Sequence, residues 1–160
     1  MAEGLRVTAI AMEEIQSWLG ARPKTLTVRD VSSEHEYQRI DVDLLVTTPT
    51  GEFKLEIKGD RWDGTGNFFF ETVSNREKGT PGCFLYTQAD FLLYYFVKSR
   101  ELYILPMRAA RHWFAIHEQR FPERATTTPL ANGRHYTTVG RLVPIKQAAQ
   151  EIAGVAFFQL

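Results

Sequence analysis

The sequence has one cysteine, Cys83, in 160 residues. No disulfide can therefore close within the chain, and nothing in it asks for an oxidising compartment. Long hydrophobic runs are missing as well: the longest nearly apolar stretches, such as Phe91 to Val97, fall far short of the ~20 residues that a bilayer span needs. Met1 to Gly20 contains glutamates and no signal-like apolar centre. The expectation is a soluble, cytoplasmic protein with no membrane contact. An excess of charge is missing too, since 19 Lys and Arg match 19 Asp and Glu. That balance argues against a uniformly basic coat for nucleic acid.

What is present begins with apolar surface. A hydrophobic share of 44% with 12% aromatics can fill one compact core at this length, and a single domain over residues 1–160 is expected. The neutral total hides a split. Residues 1–97 hold ten basic and fifteen acidic side chains, and residues 98–160 nine basic and four acidic, net −5 and +5. An acidic part able to hold a cation thus precedes a basic C-terminal extension, from about residue 106, able to hold a polyanion.

Val7, Ile10, Ala11, Ile15 and Trp18 recur at helical spacing between Leu5 and Leu19, and Gly20 followed by Pro23 ends the pattern. Glu14 falls on the apolar arc of that helix and so faces inward or borders a site. Arg39 to Val46 and Phe53 to Ile57 alternate polar and apolar residues around the turn Thr48-Pro49-Thr50-Gly51, which predicts a hairpin. A third strand is expected from Asn67 to Val73 and a short fourth near Cys83 to Tyr86. Thr87 with Asp90 has capping-box form and predicts an aromatic-rich helix to about Lys98. Leu102 to Leu105 is a strand candidate. Pro106 suits the first turn of a helix to about Gln119, Pro122 to Gly140 is turn-rich, and Lys146 to Gly154 suits a last helix. This order points to a mixed α/β sandwich with a central sheet.

The hairpin can be put in register by matching its apolar faces: Val46 with Phe53, Leu44 with Leu55, Val42 with Ile57. On the opposite face Asp43 then meets Glu56 and Asp41 meets Lys58. One reading of this patch is a cross-strand salt bridge on a solvated sheet. The other is a site, because carboxylates held together need a cationic neutraliser. The oxygen-preferring candidate is Mg²⁺, bound by one or two carboxylates plus substrate phosphate oxygens, with Mn²⁺ as a substitute. Such an ion polarises a phosphoryl group and lowers the pKa of a bound water, while a nearby lysine orients that water or stabilises the pentavalent charge.

Asp43, followed thirteen positions on by Glu56-Ile57-Lys58, resembles the D…(D/E)-X-K signature of the PD-(D/E)XK nuclease superfamily. The continuation Glu56-Ile57-Lys58-Gly59-Asp60, Thr65-Gly66-Asn67-Phe68-Phe69-Phe70-Glu71, Gly79 to Gly82 and Thr87-Gln88-Ala89-Asp90-Phe91 is similar to small phage and bacterial proteins of that superfamily. They run E-V-K-x-D, T-G-N-hydrophobic-E, G and T-x-A-D-aromatic. The resemblance covers about residues 5–105. It implies an α/β, restriction-endonuclease-like α-β-β-β-α-β core whose central mixed sheet is flanked by helices. It also implies Asp43 and Glu56 as metal ligands, the backbone carbonyl of Ile57 as a further ligand, and Lys58 as the catalytic lysine. The sequence departs from the short signature in having Ile40-Asp41 where proline-aspartate is expected. Two aspartates are thereby on offer: Asp43 is preferred because it pairs with Glu56 in the derived register, and Asp41 is its substitute.

Glu14 resembles the extra acidic residue that many such nucleases supply from their first helix; otherwise it is a boundary glutamate paired with an arginine. Glu71 either approaches the metal from the next strand or ends that strand in solvent. Asp60 and Asn67 suit turn-shaping roles, and Asp90 suits the cap with Thr87. His35, His112, His117 and His135 lack metal spacing. Trp62 reads as core, or as a base-stacking side chain if exposed.

The function expected is that of a metal-dependent endonuclease hydrolysing DNA phosphodiester bonds in phage or bacterial recombination, repair or processing. Cleavage of both strands symmetrically would require a homodimer. Its phosphate-binding surface would collect Arg108, Arg111, Arg134, Arg141 and Lys146. The alternative is a catalytically inactive binding or structural module that keeps the nuclease fold.

Overall fold

A computed structural model describes residues 2–130 and 133–160. The first helix, α1 (Ala2–Gly20), follows the expected periodicity and buries Ala11, Ile15 and Leu19. It leads through β1 (Thr27–Asp30) and the single turn α2 (His35–Gln38) to the hairpin β2 (Leu44–Thr48) and β3 (Gly51–Asp60). The hairpin register pairs Leu44 with Leu55 and Val46 with Phe53, as matching of the apolar faces requires. β2 is shorter than expected. Arg39 lies at the end of α2 and Asp41 takes the left-handed conformation, φ 55°, which Asp tolerates better than most residues. The ladder thus stops at Leu44, and the extension pairing Val42 with Ile57 and Asp41 with Lys58 does not form.

After a single 3₁₀ turn at Asp63–Thr65 come β4 (Asn67–Asn75), β5 (Thr80–Pro81), α3 (Cys83–Tyr86), β6 (Phe91–Phe96) and β7 (Glu101–Pro106). The chain ends with α4 (Met107–His117), a 3₁₀ turn at Glu118–Arg120, β8 (Glu123–Pro129), β9 (His135–Pro144), α5 (Ile145–Glu151) and β10 (Ala156–Gln159). A six-stranded sheet runs β1-β2-β3-β6-β7-β10 and a four-stranded antiparallel sheet runs β5-β4-β9-β8. The larger sheet is mixed, because β3 and β6 are parallel and the other pairs antiparallel. The chain is therefore α/β.

The segment expected to be a helix from Thr87 to Lys98 is instead the strand β6. Its residues alternate between two cores. Leu93 and Tyr95 pack beneath α1 with Leu44, Val46, Leu55 and Ile57. Leu92, Tyr94 and Phe96 pack on the other face with Phe68, Phe70, Phe84, Trp113 and Phe114. A strand buried on both faces reads as a continuous apolar run without period two, and its aromatic content suits a strand. Asp90 caps nothing: its carboxylate accepts the Lys54 N–H at 2.8 Å. The short strand expected near Cys83 to Tyr86 is the helical turn α3.

The turn-rich reading of Pro122 to Gly140 also gives way to structure. Glu123–Pro129 and His135–Pro144 form an antiparallel pair in which Thr126 faces Thr138 and Thr127 faces Thr137, cross-strand partners that favour β structure; residues 131 and 132 of that segment lie outside the described residues. β9 sits between β8 and β4, so the basic C-terminal third completes the second sheet. The expected α-β-β-β-α-β order is accordingly not the observed one: its third strand, β4, joins the second sheet, and a strand stands where the second helix was expected. No helix among the described residues is long and apolar enough to cross a membrane.

Gly59 marks the crossing of α1 over β3. A Cβ there would lie 2.9 Å from the Ala11 Cβ and 3.1 Å from the Val7 carbonyl oxygen, closer than packed atoms tolerate. Gly59→Ala should therefore destabilise the protein by about 1–3 kcal/mol, read as a lower urea midpoint. An unchanged midpoint would mean that α1 does not pack on β3 at this point.

Candidate functional site

Pairing on both edges fixes the faces of β3. Leu55 and Ile57 turn toward α1, so Glu56, Lys58 and Asp60 turn toward the second sheet. Asp60 accepts from the Trp62 N–H at 2.8 Å and from the Tyr94 hydroxyl, which itself accepts the Phe69 N–H at 3.0 Å. That relay ties β3 and β6 to β4 and holds Glu71 over Lys58, 3.5 Å from its Nζ. Lys58 is thus the partner of Glu71 rather than of Asp41.

A close backbone approach brings in α3. Gly82 donates to the Thr72 carbonyl at 2.9 Å, and a Cβ on Gly82 would lie only 2.2 Å from the Glu71 carbonyl oxygen. Only glycine fits, and the next residue, Cys83, is delivered to the cluster. From the other side, residues 40 and 41 are pinned by the Thr87 hydroxyl, which donates to the Asp41 carbonyl, and by the Gln88 N–H, which donates to the Ile40 carbonyl at 2.8 Å. Arg111 of α4 donates to the Thr87 carbonyl.

The outcome is a convergence of Asp41, Asp43, Glu56 and Cys83 beside the Lys58–Glu71 pair. Donor atoms of Asp41, Glu56 and Cys83 all lie within 4.8 Å of one another. Asp43 stands just beyond the β2 ladder, where one carboxylate oxygen accepts the Ile57 N–H at 2.9 Å and Glu56 hydrogen-bonds to it. The N–H and carbonyl of one strand residue point to the same edge, so the Ile57 carbonyl faces this group too. Asp41 is hydrogen-bonded by Tyr86, yet its Oδ2, like the Glu56 Oε2, is buried with no hydrogen-bond partner.

These surroundings disfavour negative charge. Burial, and then Asp43 and Asp41, push the Glu56 carboxyl up to about 10. Burial, and then Asp43 and Glu71, push Asp41 up to about 6. Asp43 is raised mainly by burial, against the Ile57 N–H that favours its ionised form. The Cys83 thiol is likewise pushed up by burial. Burial acts against the Lys58 ammonium, but the negative groups around it, Cys83 when ionised and Glu71 among them, keep its pKa above the usual lysine value. A divalent cation would supply the positive charge that the carboxyl groups lack, and their unpartnered oxygens fit one.

Other expected residues lie elsewhere. Glu14 projects to the α1 side of the sheet, where the Tyr95 hydroxyl donates to it and Arg100 lies 3.8 Å away; it is not brought to the cluster. Trp62 is exposed, with the Arg61 guanidinium over its ring at 4.6 Å. Of the five expected basic residues, Arg108 and Arg111 lie on α4, Arg134 precedes β9, Arg141 lies within β9 and Lys146 lies on α5. Arg141 lies against Glu118 at 3.6 Å and Glu123 at 3.5 Å.

Sequence reasoning missed Cys83, Tyr86 and Thr87. Their place depends on the Gly82 contact and on α3, which leave no periodic trace; the one available signal is Gly79 to Gly82 in the motif continuation. Comparison with protein-family models, with curated proteins and with solved structures gives no match.

The raised Glu56 carboxyl generates a pH test. Because its folded pKa exceeds the unfolded value of 4.5, the folded state holds a proton that the unfolded state releases. Stability is then complete below pH 4.5 and declines as pH rises toward 10, by up to about 1.4 kcal/mol per pH unit. In chelator-treated protein, Glu56→Gln should remove this decline and be more stable than the wild type at pH 8, with the two converging near pH 4.5. Parallel stability profiles would refute a buried, protonated Glu56.

Proposed function

We propose that the chain is a metal-dependent nuclease that hydrolyses DNA phosphodiester bonds at the Asp41–Asp43–Glu56–Lys58 cluster. The observation that carries this reading is the convergence of Asp41 and Glu56, each with one buried, unpartnered carboxyl oxygen, beside an ion-paired lysine. The D…E-x-K resemblance supports it from the sequence side. A likeness to a restriction-endonuclease-like core belongs to the same proposal only in part: α1 crosses one face of a mixed sheet with the signature at the hairpin β2–β3, while the expected third strand and second helix differ.

On this reading Asp43, Glu56 and Asp41 would hold the cation, with the Ile57 carbonyl at the same edge. The ion, Mg²⁺ or Mn²⁺ from the oxygen donors, would supply Lewis acidity when bound. Glu56 would have to be ionised to hold it. Asp43 is oriented by the Ile57 N–H and Asp41 by the Thr87 hydroxyl acting on its carbonyl. Lys58 stays an ammonium, so it stabilises charge developing on the phosphoryl oxygens instead of abstracting a proton; Glu71 aims it. The three acidic groups cannot attract a polyanion, and the cations on α4 that can are Arg111 and, one turn earlier, the exposed Arg108.

Metal-dependent cleavage of a panel of branched and linear DNAs tests the proposal. Lys58→Ala should lower turnover by ~10²-fold or more while leaving metal binding in place, and Asp43→Asn or Glu56→Gln should abolish both. Absence of cleavage on every DNA, by protein shown to bind the metal, would leave an inactive nuclease-fold module in its place.

Salt dependence checks the DNA path. Replacing Arg108 and Arg111 together by Ala should lower the slope of log affinity against log salt by about 2 on duplex DNA, measured by anisotropy with Ca²⁺ to prevent cleavage. An unchanged slope moves the path away from α4.

A further inference from the structure

We propose that Cys83 is itself a ligand of the cation, making the site a mixed oxygen–sulfur centre that takes a zinc-class ion in preference to Mg²⁺. This rests on the reading of the cluster as a cation site and replaces its Mg²⁺ or Mn²⁺ occupant with a zinc-class ion. The geometry carries it. A cation touching two donors can span no more than the sum of its bond lengths, about 4.4 Å for one oxygen and one sulfur. Three donors on one tetrahedral ion stand about 3.5 Å apart, and the donor atoms of Asp41, Glu56 and Cys83 stand within 4.8 Å of one another, so side-chain shifts on the order of 1 Å close all three on one ion.

The thiol is not an idle neighbour of that group. Glu56 is only 8% exposed, its Oε2 is buried without a partner, and one of its carboxyl oxygens lies in the same group of donors. The Gly82 approach to Glu71 fixes the backbone immediately before Cys83, so the sulfur is held by two elements, β4 and α3. Thiolate donors favour zinc-like ions, whereas Mg²⁺ wants an all-oxygen octahedral shell. On loading, the S–H proton passes to solvent as the metal–sulfur bond forms, with no change of oxidation state. Asp43 and the Ile57 carbonyl remain at the edge of the same space.

Cys83 is the only cysteine in the sequence, which makes the test clean. The metal-free full-length chain is titrated with Cd²⁺, and sulfur-to-metal charge-transfer absorption is followed in the ultraviolet, with calorimetry in parallel. The wild type should develop the band and saturate at one equivalent. Cys83→Ser should lose the band and bind Cd²⁺ at least about tenfold more weakly, and Glu56→Gln should also weaken Cd²⁺ binding at least about tenfold. Mg²⁺ affinity should be below that for Cd²⁺ in the wild type and hardly altered by Cys83→Ser. Because the wild-type spectrum is itself diagnostic, the outcome does not hang on a variant folding. Cd²⁺ binding that Glu56→Gln weakens, but with no band in the wild type, overturns the thiol ligand and leaves the carboxylate site standing. A band that Glu56→Gln leaves untouched marks adventitious capture by a lone thiol and overturns the proposal as well. If neither Cd²⁺, Mn²⁺ nor Mg²⁺ binds, the thiol ligand and the cation site fall together.

Discussion

The structure depends on one constraint: β3 is paired along both edges, antiparallel to β2 and parallel to β6. A strand held this way cannot rotate or slip without moving every second side chain from one core to the other. Leu55, Ile57 and Gly59 are committed to α1, so Glu56, Lys58 and Asp60 are committed to the opposite face. The second sheet closes over that face, and its approach makes Glu56 a desolvated acid instead of a surface glutamate. The chemistry of the cluster is a by-product of strand geometry, because burial is what raises the carboxyl groups.

Much of this was legible in the residues. Local patterns that report one periodicity survived: α1, the hairpin with its register, β4, β7 and most of α4 lie where spacing puts them. Asp43 and Glu56 do meet, but through their side chains and not as ladder partners. What could not be read is whatever depends on burial from two sides or on distant contact. Phe91 to Phe96 carries no alternation because both its faces are core, and so it resembled a helix opened by Thr87 and Asp90. Asp90 and Thr87 are polar for other reasons: one receives the Lys54 N–H, the other pins residue 41.

The same limit explains the site. Asp41 reaches the cluster through a left-handed residue that breaks the strand pattern, so its approach to Glu56 has no expression in alternation. Cys83 arrives by a backbone contact between Gly82 and Glu71, eleven positions apart in sequence. Net charge by halves does not locate a binding surface, since Arg141 is engaged by Glu118 and Glu123 and the other expected basic residues are divided among α4, the start of β9 and α5. Composition reports totals, whereas a surface depends on which charges already have partners.

The contacts linking α4 to Asp41 carry a mechanical implication. Arg111 grips the Thr87 carbonyl, and the Thr87 hydroxyl grips the Asp41 carbonyl; the peptide of residues 40 and 41 hangs from these hooks and from Gln88. The path from α4 to the aspartate thus runs through the Arg111 guanidinium and the Thr87 hydroxyl, each ending on a backbone carbonyl. The position of α4 and the place of Asp41 in the acidic cluster are thereby set by one chain of hydrogen bonds.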